Sequence, residues 1–226
     1  MPLHTAEALV LRTYKLGEAD RIVVFLTRDR GKKRGVAKGA RRPRSRFAGA
    51  LEPLTEVRVA YFESERRELV GLNYAETVRS PLSMNASSRA ASSGLTSQFL
   101  LVEYVAELLD ECAQDSDADD RLYRLGASML DALTGGAPAE PLARYFEYWL
   151  LRLQGVYPEA RGTLSPGALA YLGAARTVPP QDVGAVPVDA RVLRELEGVH
   201  RTLIATHLEK TLKSDRVLRE LRRLDA

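Results

Sequence analysis

The chain has 226 residues, 45% of them hydrophobic and 28% charged, an ordinary globular composition long enough for one large domain or two small ones. A single cysteine, Cys112, rules out an internal disulfide and a cysteine zinc cluster, and no apolar run approaches a membrane span. The formal charge of +3 conceals an asymmetry: residues 1–50 carry thirteen Lys/Arg against four Asp/Glu, a net +9, and the remainder a net −6. Charge separated in this way makes a field over one part of the molecule, for which a polyanion is the natural partner. The first seven residues lack a basic region followed by an apolar stretch, so a cytoplasmic chain with no membrane partner is expected.

In chain order, residues 8–14, 21–27, 34–38, 55–62 and 68–78 read as five short strands, rich in β-branched and aromatic residues and separated by glycine and Asp-Arg-Gly turn signals. With no helical period between them, they predict a small closed or part-open barrel over residues 1–80. Ser80-Pro81-Leu82 is a plausible boundary, because proline disfavours a helical residue before it. Residues 81–226 read as an all-helical domain. Apolar residues recur at spacings of three and four within 85–113, then at Leu122, Leu125, Met129 and Leu133, then from Leu142 to Leu153, and in a long segment from Val192 to Leu212. Residues 177–187, with three prolines, read as loop.

Residues 28–47 hold ten basic side chains and one acid, interrupted by Gly31, Gly35, Gly39 and Pro43. Guanidinium groups make forked hydrogen bonds to phosphate, and lysine acts as a point charge. We therefore take Arg21, Lys32, Lys33, Arg34, Lys38, Arg41, Arg42, Arg44 and Arg46 as candidate nucleic-acid contacts. Phe47, Tyr14 and Tyr61 are candidates for stacking on an unpaired base. No base-reading helix is apparent nearby, so recognition should follow the backbone and ignore sequence. The alternative is a mobile loop whose charge serves solubility.

Other chemistries find little support. His200 and His207 lie seven apart, where helical metal pairs sit three or four apart, and read as structural or surface residues. Asp115, Asp117, Asp119 and Asp120 lack the glycine and terminal glutamate of a calcium loop and read as a solvated helix start. There is no nucleophile elbow and no phosphate loop, so neither an enzyme nor a cofactor is expected. Lys210, Lys213, Arg216, Arg219, Arg222 and Arg223 form a second basic region, for which a helix C-terminus is the simpler reading. Tyr145, Phe146 and Trp149, flanked by Arg144 and Arg152, read as core more readily than as a groove for an acidic peptide with an apolar end.

The run Glu18-Ala19-Asp20-Arg21-Ile22-Val23-Val24-Phe25-Leu26-Thr27, then Gly31, then residues 36–53 from Val36-Ala37-Lys38-Gly39-Ala40-Arg41-Arg42-Pro43 to Leu51-Glu52-Pro53, closely resembles the RecO family of bacterial recombination mediators. The match is dense over residues 5–80 and looser at Tyr145–Leu151, Gly155, Pro158 and Leu164–Leu169. The resemblance implies an α+β, two-domain chain: an N-terminal five-stranded oligonucleotide/oligosaccharide-binding (OB) barrel followed by helices. It implies binding of single- and double-stranded DNA, strand annealing, and loading of recombinase onto strands covered by single-strand-binding protein. The implied partners are RecR and the acidic C-terminal tail of single-strand-binding protein, and the implied location is the nucleoid. Many family members carry a four-cysteine zinc module after the helix that ends here near Pro158; this chain has no cysteine there, so a domain held by helix packing without zinc is expected. An RNA-binding barrel and, more remotely, a metal-dependent nuclease are the alternative functions.

Overall fold

A computed structural model describes residues 2–64, 66–83, 92–158, 164–210 and 212–214. Its elements run β1 (Leu3–Leu16), β2 (Asp20–Thr27), β3 (Gly31–Ala37), β4 (Glu56–Phe62), β5 (Val70–Arg79), α1 (Ser92–Cys112), α2 (Asp120–Thr134), α3 (Ala139–Leu153), α4 (Pro166–Ala175) and α5 (Ala190–Leu208), with 3-10 turns at Pro81–Ser83 and Pro180–Ala185. The chain forms two compact units. One comprises Met1–Ser83 with Val105–Leu130, the other Met84–Tyr104 with Asp131–Ala226. The last strand ends at Arg79, and Val105–Leu130 of the helical region belongs to the barrel's own unit.

In the first unit the strands close into a barrel in the order β1-β2-β3-β5-β4. All neighbours are antiparallel except β3 and β5, which pair in parallel at Gly35–Val70, Val36–Gly71 and Ala37–Leu72. This is the five-stranded OB arrangement that the sequence led us to expect. Side chains alternate between the two faces of a strand, and Ala6, Ala8, Val10, Val23, Phe25, Val57, Val59, Tyr61, Val70 and Leu72 point into one buried cluster. A bulge in β1 between Val10 and Arg12 re-sets the alternation, so that Arg12, Tyr14 and Leu16 face outward beyond it. The linker from β3 to β4 plugs one end of the barrel: Phe47, Ala50 and Leu51 join the same cluster. Within this unit α2 runs close to β1, since a Cβ on Gly126 would come within 2.7 Å of both Leu9 and Leu109. The Tyr123 hydroxyl donates to Glu56 Oε1 at 2.8 Å.

In the second unit α3 packs against α5, α4 and the Pro180–Ala185 turn. Phe146 is fully buried, Tyr145 and Tyr148 nearly so, and the Trp149 indole N–H donates to Ala175 O at 3.0 Å. Tyr145, Phe146 and Tyr148 are core, as the periodicity of α3 indicates, and Trp149 is half-buried. His200 is completely buried. Its Nδ1 lies 3.0 Å from Glu147 Oε2, and Glu147 Oε1 accepts from Tyr104 at 2.9 Å and pairs with Arg144 at 2.8 Å. Burial alone would push the Glu147 carboxyl up, but Arg144, His200 and Tyr104 hold it below the usual carboxylate range.

Two expectations need correction. Residues 177–187 are not wholly loop, because Pro180–Ala185 makes a 3-10 turn. The last long helix stops at Leu208 instead of reaching Leu212: Glu209 adopts a left-handed φ of 53°, which ends the helical hydrogen bonding. Of the second basic region, Arg216, Arg219, Arg222 and Arg223 lie outside the described residues.

Candidate nucleic-acid interface

The candidate residues fall into two groups. Lys32 and Lys33 occupy adjacent positions of β3 and must leave the strand on opposite faces. Both are only 9% exposed. Lys32 Nζ donates to Asp110 O at 2.6 Å and sits 3.4 Å from Asp110 Oδ1 and 3.8 Å from Asp115 Oδ1. Lys33 Nζ donates to Glu63 Oε1 at 2.7 Å and to Ser116 Oγ at 3.1 Å. The Lys33 hydrogen bond holds the Glu63 carboxyl below the usual range.

The segment after α1 is laid along this part of β3. Lys32 N donates to Gln114 O, and Ser116 N donates back to Lys32 O. Gly31, at φ +67°, makes the approach possible, since a Cβ there would collide with the Asp117 backbone. The acids of residues 115–120 are therefore more than a solvated helix start. Asp119 caps α2 by accepting from Leu122 N at 3.0 Å, Asp120 pairs with Arg28 at 2.9 Å, and Asp115 lies 3.8 Å from Arg34. Lys32 and Lys33 are thus internal ion-pair partners, not members of an open cationic surface. Arg34 remains over half exposed, at 55%. Arg21 is half-buried near Thr13 Oγ1.

The second group is the β3–β4 linker. Lys38, Arg41, Arg42, Arg44 and Arg46 are all exposed. Among the described residues none of these five forms an ion pair with a carboxylate. The linker is a succession of tight turns, with Arg42 N donating to Gly39 O, Ser45 N to Arg42 O and Ala48 N to Ser45 O. Gly39 at φ 72° and Gly49 at φ 75° supply left-handed positions that an L side chain would resist. Arg44 takes such a position itself, at φ 59°.

The linker is anchored on the β1–β2 turn. Arg41 N donates to Ala19 O, Gly39 N to Asp20 Oδ1 at 2.8 Å, and Arg41 Nη1 to Gly17 O and Glu18 O at 3.0 Å each. Phe47 holds the other side, buried in the barrel with the Arg46 guanidinium 5.1 Å from its ring centre. Five cations are thus displayed by a folded scaffold, with anchors at both ends.

Two of the three stacking candidates are corrected by burial. Phe47 is 2% exposed and Tyr61 0%; neither ring can meet a base. Burial pushes the Tyr61 phenol up to about 12. Tyr14 is 46% exposed.

In the second unit, Tyr148, Arg152, Gly155, Tyr157, Pro158, Leu172 and Arg176 line a cavity of about 510 Å³. The Arg152 guanidinium lies 5.7 Å from the Tyr148 and Trp149 ring centres. Arg144, which the less favoured groove reading would place at the rim, is buried against Glu147. Among the described residues no cluster of His, Cys, Asp and Glu is arranged to hold a metal ion, and no helix is long and apolar enough to cross a membrane.

Two family models match successive parts of the chain. The family described as Recombination protein O N terminal matches residues 1–81, and Recombination protein O C terminal matches residues 96–161. A DNA repair protein RecO of Koribacter versatilis is 42% identical over 157 residues, covering 70% of this chain and 61% of that protein. One from Anaeromyxobacter dehalogenans is 36% identical over 160 residues, covering 71% and 60%. One from a Nocardioides species is 32% identical over 246 residues, covering 94% and 97%. The chain spans about three fifths of the length of the first two and nearly all of the third. An OB barrel matching the family's N-terminal part, a helical region matching its C-terminal part and a relative aligned almost end to end lead to one assignment: this chain belongs to the RecO family of DNA repair proteins.

Proposed function

We propose that this chain is a non-catalytic DNA-repair mediator of the nucleoid. It binds single- and double-stranded DNA through Lys38, Arg41, Arg42, Arg44 and Arg46, with Arg34 and Arg21 beside them, and brings complementary strands together. The observation that carries this reading is the display of five exposed cations, without carboxylate partners among the described residues, on an anchored linker of an OB barrel. Annealing requires no bond to be made or broken by the protein. Its barrier is the mutual repulsion of two phosphate chains, and cations that neutralise several phosphates on each strand lower it. A guanidinium offers two donors in a plane and keeps its charge throughout the physiological range, which suits it to phosphate. Because phosphates are alike along any sequence, such a surface positions a strand without reading it.

The family further suggests RecR and the acidic tail of single-strand-binding protein as partners, and recombinase loading as the outcome. The cavity between Arg152 and Arg176, floored by Tyr148, Tyr157 and Leu172, has the mixed cationic and apolar lining that an acidic peptide with an apolar end requires.

The decisive experiment is annealing of two complementary labelled oligonucleotides, alone and coated with single-strand-binding protein. Acceleration in both cases is expected. No acceleration in either contradicts the proposal, and so does release of shortened strands in magnesium or manganese, the mark of a nuclease. Competition with RNA of equal length should leave most of the DNA bound; preferential displacement points instead to an RNA-binding barrel.

A further inference from the structure

The exterior of β1, β2 and β3 carries a row that the linker cations do not account for. Register places Tyr14 opposite Ile22, and Ile22 opposite Val36. All three lie on the outward side: the intervening Thr13–Val23 pair and Gly35 belong to the inward alternation, in which Val23 and Ala37 enter the core. The row is therefore one aromatic ring and two half-buried β-branched side chains crossing three strands in line.

Its borders carry cations, two of them beside acids: Arg12 with Asp110 and Glu111, and Arg34 with Asp115 at 3.8 Å. In the next row Arg12 faces Val24 and Val24 faces Arg34. Lys38 follows directly on the end of β3 and opens the linker. Arg12 is held by Asp110 at 2.9 Å, and its Nη1 donates to the Tyr14 hydroxyl at 3.1 Å. The ring is thereby tethered at its hydroxyl end while 46% of the residue stays open to solvent.

A second group of exposed apolar side chains, Leu3, Phe62 and Tyr74, lies on the β1–β4–β5 side. There the neighbouring charges are Glu7, Glu76 and an Arg58 engaged with Glu76 at 3.6 Å. The cations there, Arg28 and Arg58, each face a carboxylate, Glu7 and Glu76. The Tyr14 face runs on through Lys38 into the linker cations.

We propose that the Tyr14–Ile22–Val36 row is a stacking site for an unpaired nucleobase, with Tyr14 as the stacking residue and Arg34 and Lys38 taking the flanking phosphates. This rests on the proposed DNA-binding function and adds to it a means of telling single strands from duplex. The linker cations meet phosphates, which both forms present. An aromatic ring needs a free base face, and within a duplex those faces are covered by neighbouring base pairs.

The test measures binding of the full chain to a fluorescent oligothymidylate, to the same length of abasic strand and to a hairpin duplex. Tyr14→Ala should weaken oligothymidylate binding by about fivefold or more and leave duplex binding within about twofold. Tyr14→Phe, which keeps the ring and loses the Arg12 hydrogen bond, should bind as the unsubstituted chain does. The unsubstituted chain should prefer oligothymidylate to the abasic strand, and Tyr14→Ala should lose that preference. Equal weakening on single strand and duplex, or no weakening on either, overturns the stacking site while leaving DNA binding intact. Absence of binding by the unsubstituted chain to all three probes overturns the DNA-binding function itself.

Discussion

Lys32 and Lys33 of β3 and the basic side chains of residues 38–46 carry the same kind of charge a few positions apart, yet the fold treats them oppositely. In β3 the lysines are drawn inward: Lys32 and Lys33 are nearly buried and meet Asp110, Asp115 and Glu63. In the linker, Lys38 and four arginines stand exposed. A buried charge requires a partner, because desolvation without one costs several kcal/mol. An exposed one requires none and is left for an external anion. Charge density along a sequence therefore measures neither stability nor binding until backbone geometry assigns each side chain to a face.

The difference can be attacked from both sides, and the largest effect belongs to the linker. Replacing Arg41, Arg42, Arg44 and Arg46 together by Glu should weaken DNA binding by about 100-fold or more. The far-ultraviolet circular dichroism should stay close to that of the unsubstituted chain and the thermal midpoint should fall only slightly, since among the described residues none of the four holds a carboxylate and only Arg41, through Gly17 O and Glu18 O, ties the linker to another element. Retained affinity in a gel-shift titration removes the linker from the interface.

Next comes Lys32→Met. It withdraws the donor from Asp110 O and should lower unfolding free energy by about 1.5–3 kcal/mol in urea titration. DNA affinity of the folded protein should change less than about twofold, since one residue already tied internally supplies no phosphate contact. A large loss of affinity without loss of stability reverses the assignment of the two groups.

A smaller and pH-dependent effect is expected for Glu63→Gln. Lys33 holds the Glu63 carboxyl below its ordinary range in the folded chain, so the ionised form is favoured by folding. Its contribution to stability is present above the ordinary carboxylate range and is lost as pH falls through the lowered folded value. The urea midpoints of Glu63→Gln and the unsubstituted chain should therefore differ at neutral pH and converge in acid. A gap that stays constant with pH contradicts the ion pair.

Least is expected of Asp115→Asn. Asp115 is 62% exposed, and its approaches to Lys32 and Arg34 are both 3.8 Å. Such a pair contributes about 0–1 kcal/mol. Thermal stability should hardly move, and DNA affinity should rise slightly as Arg34 is freed.

Much of this arrangement is legible in the sequence, for identifiable reasons. The five strands announce themselves by alternation and turn residues, and the barrel's parallel β3–β5 contact follows from closing them in OB order. The exposed linker is legible as a basic run broken by glycine and proline. The burial of Lys32 and Lys33 is not, because their partners lie 78 and 30 residues away. The sequence reading also starts the third strand at Arg34, whereas β3 begins at Gly31 and so takes in both lysines, one on each face.

Phe47 misleads for a similar reason. Flanked by Arg46 and Ala48, it reads as a loop aromatic, whereas the turns of the linker aim it into the barrel. Helix α4 escapes a periodicity search, since Pro166-Gly167-Ala168-Leu169-Ala170 has no polar stripe to contrast with an apolar one. Its start is nonetheless written in Ser165-Pro166: the serine side chain accepts from Ala168 N at 3.2 Å, and proline occupies the first helical position.

The central claim is that most of the positive charge available to DNA resides in residues 38–46 and none of it in the lysines of β3. The most direct test is the salt dependence of single-strand binding, measured for the unsubstituted chain, for Arg42→Gln/Arg44→Gln/Arg46→Gln and for Lys32→Gln/Lys33→Gln. Five available cations predict a slope of log K against log salt near about −3.5, shallower by about 0.7 for each linker arginine removed and unchanged in the β3 variant. A slope that survives loss of the three linker arginines, or that flattens when the two lysines are replaced, contradicts the account.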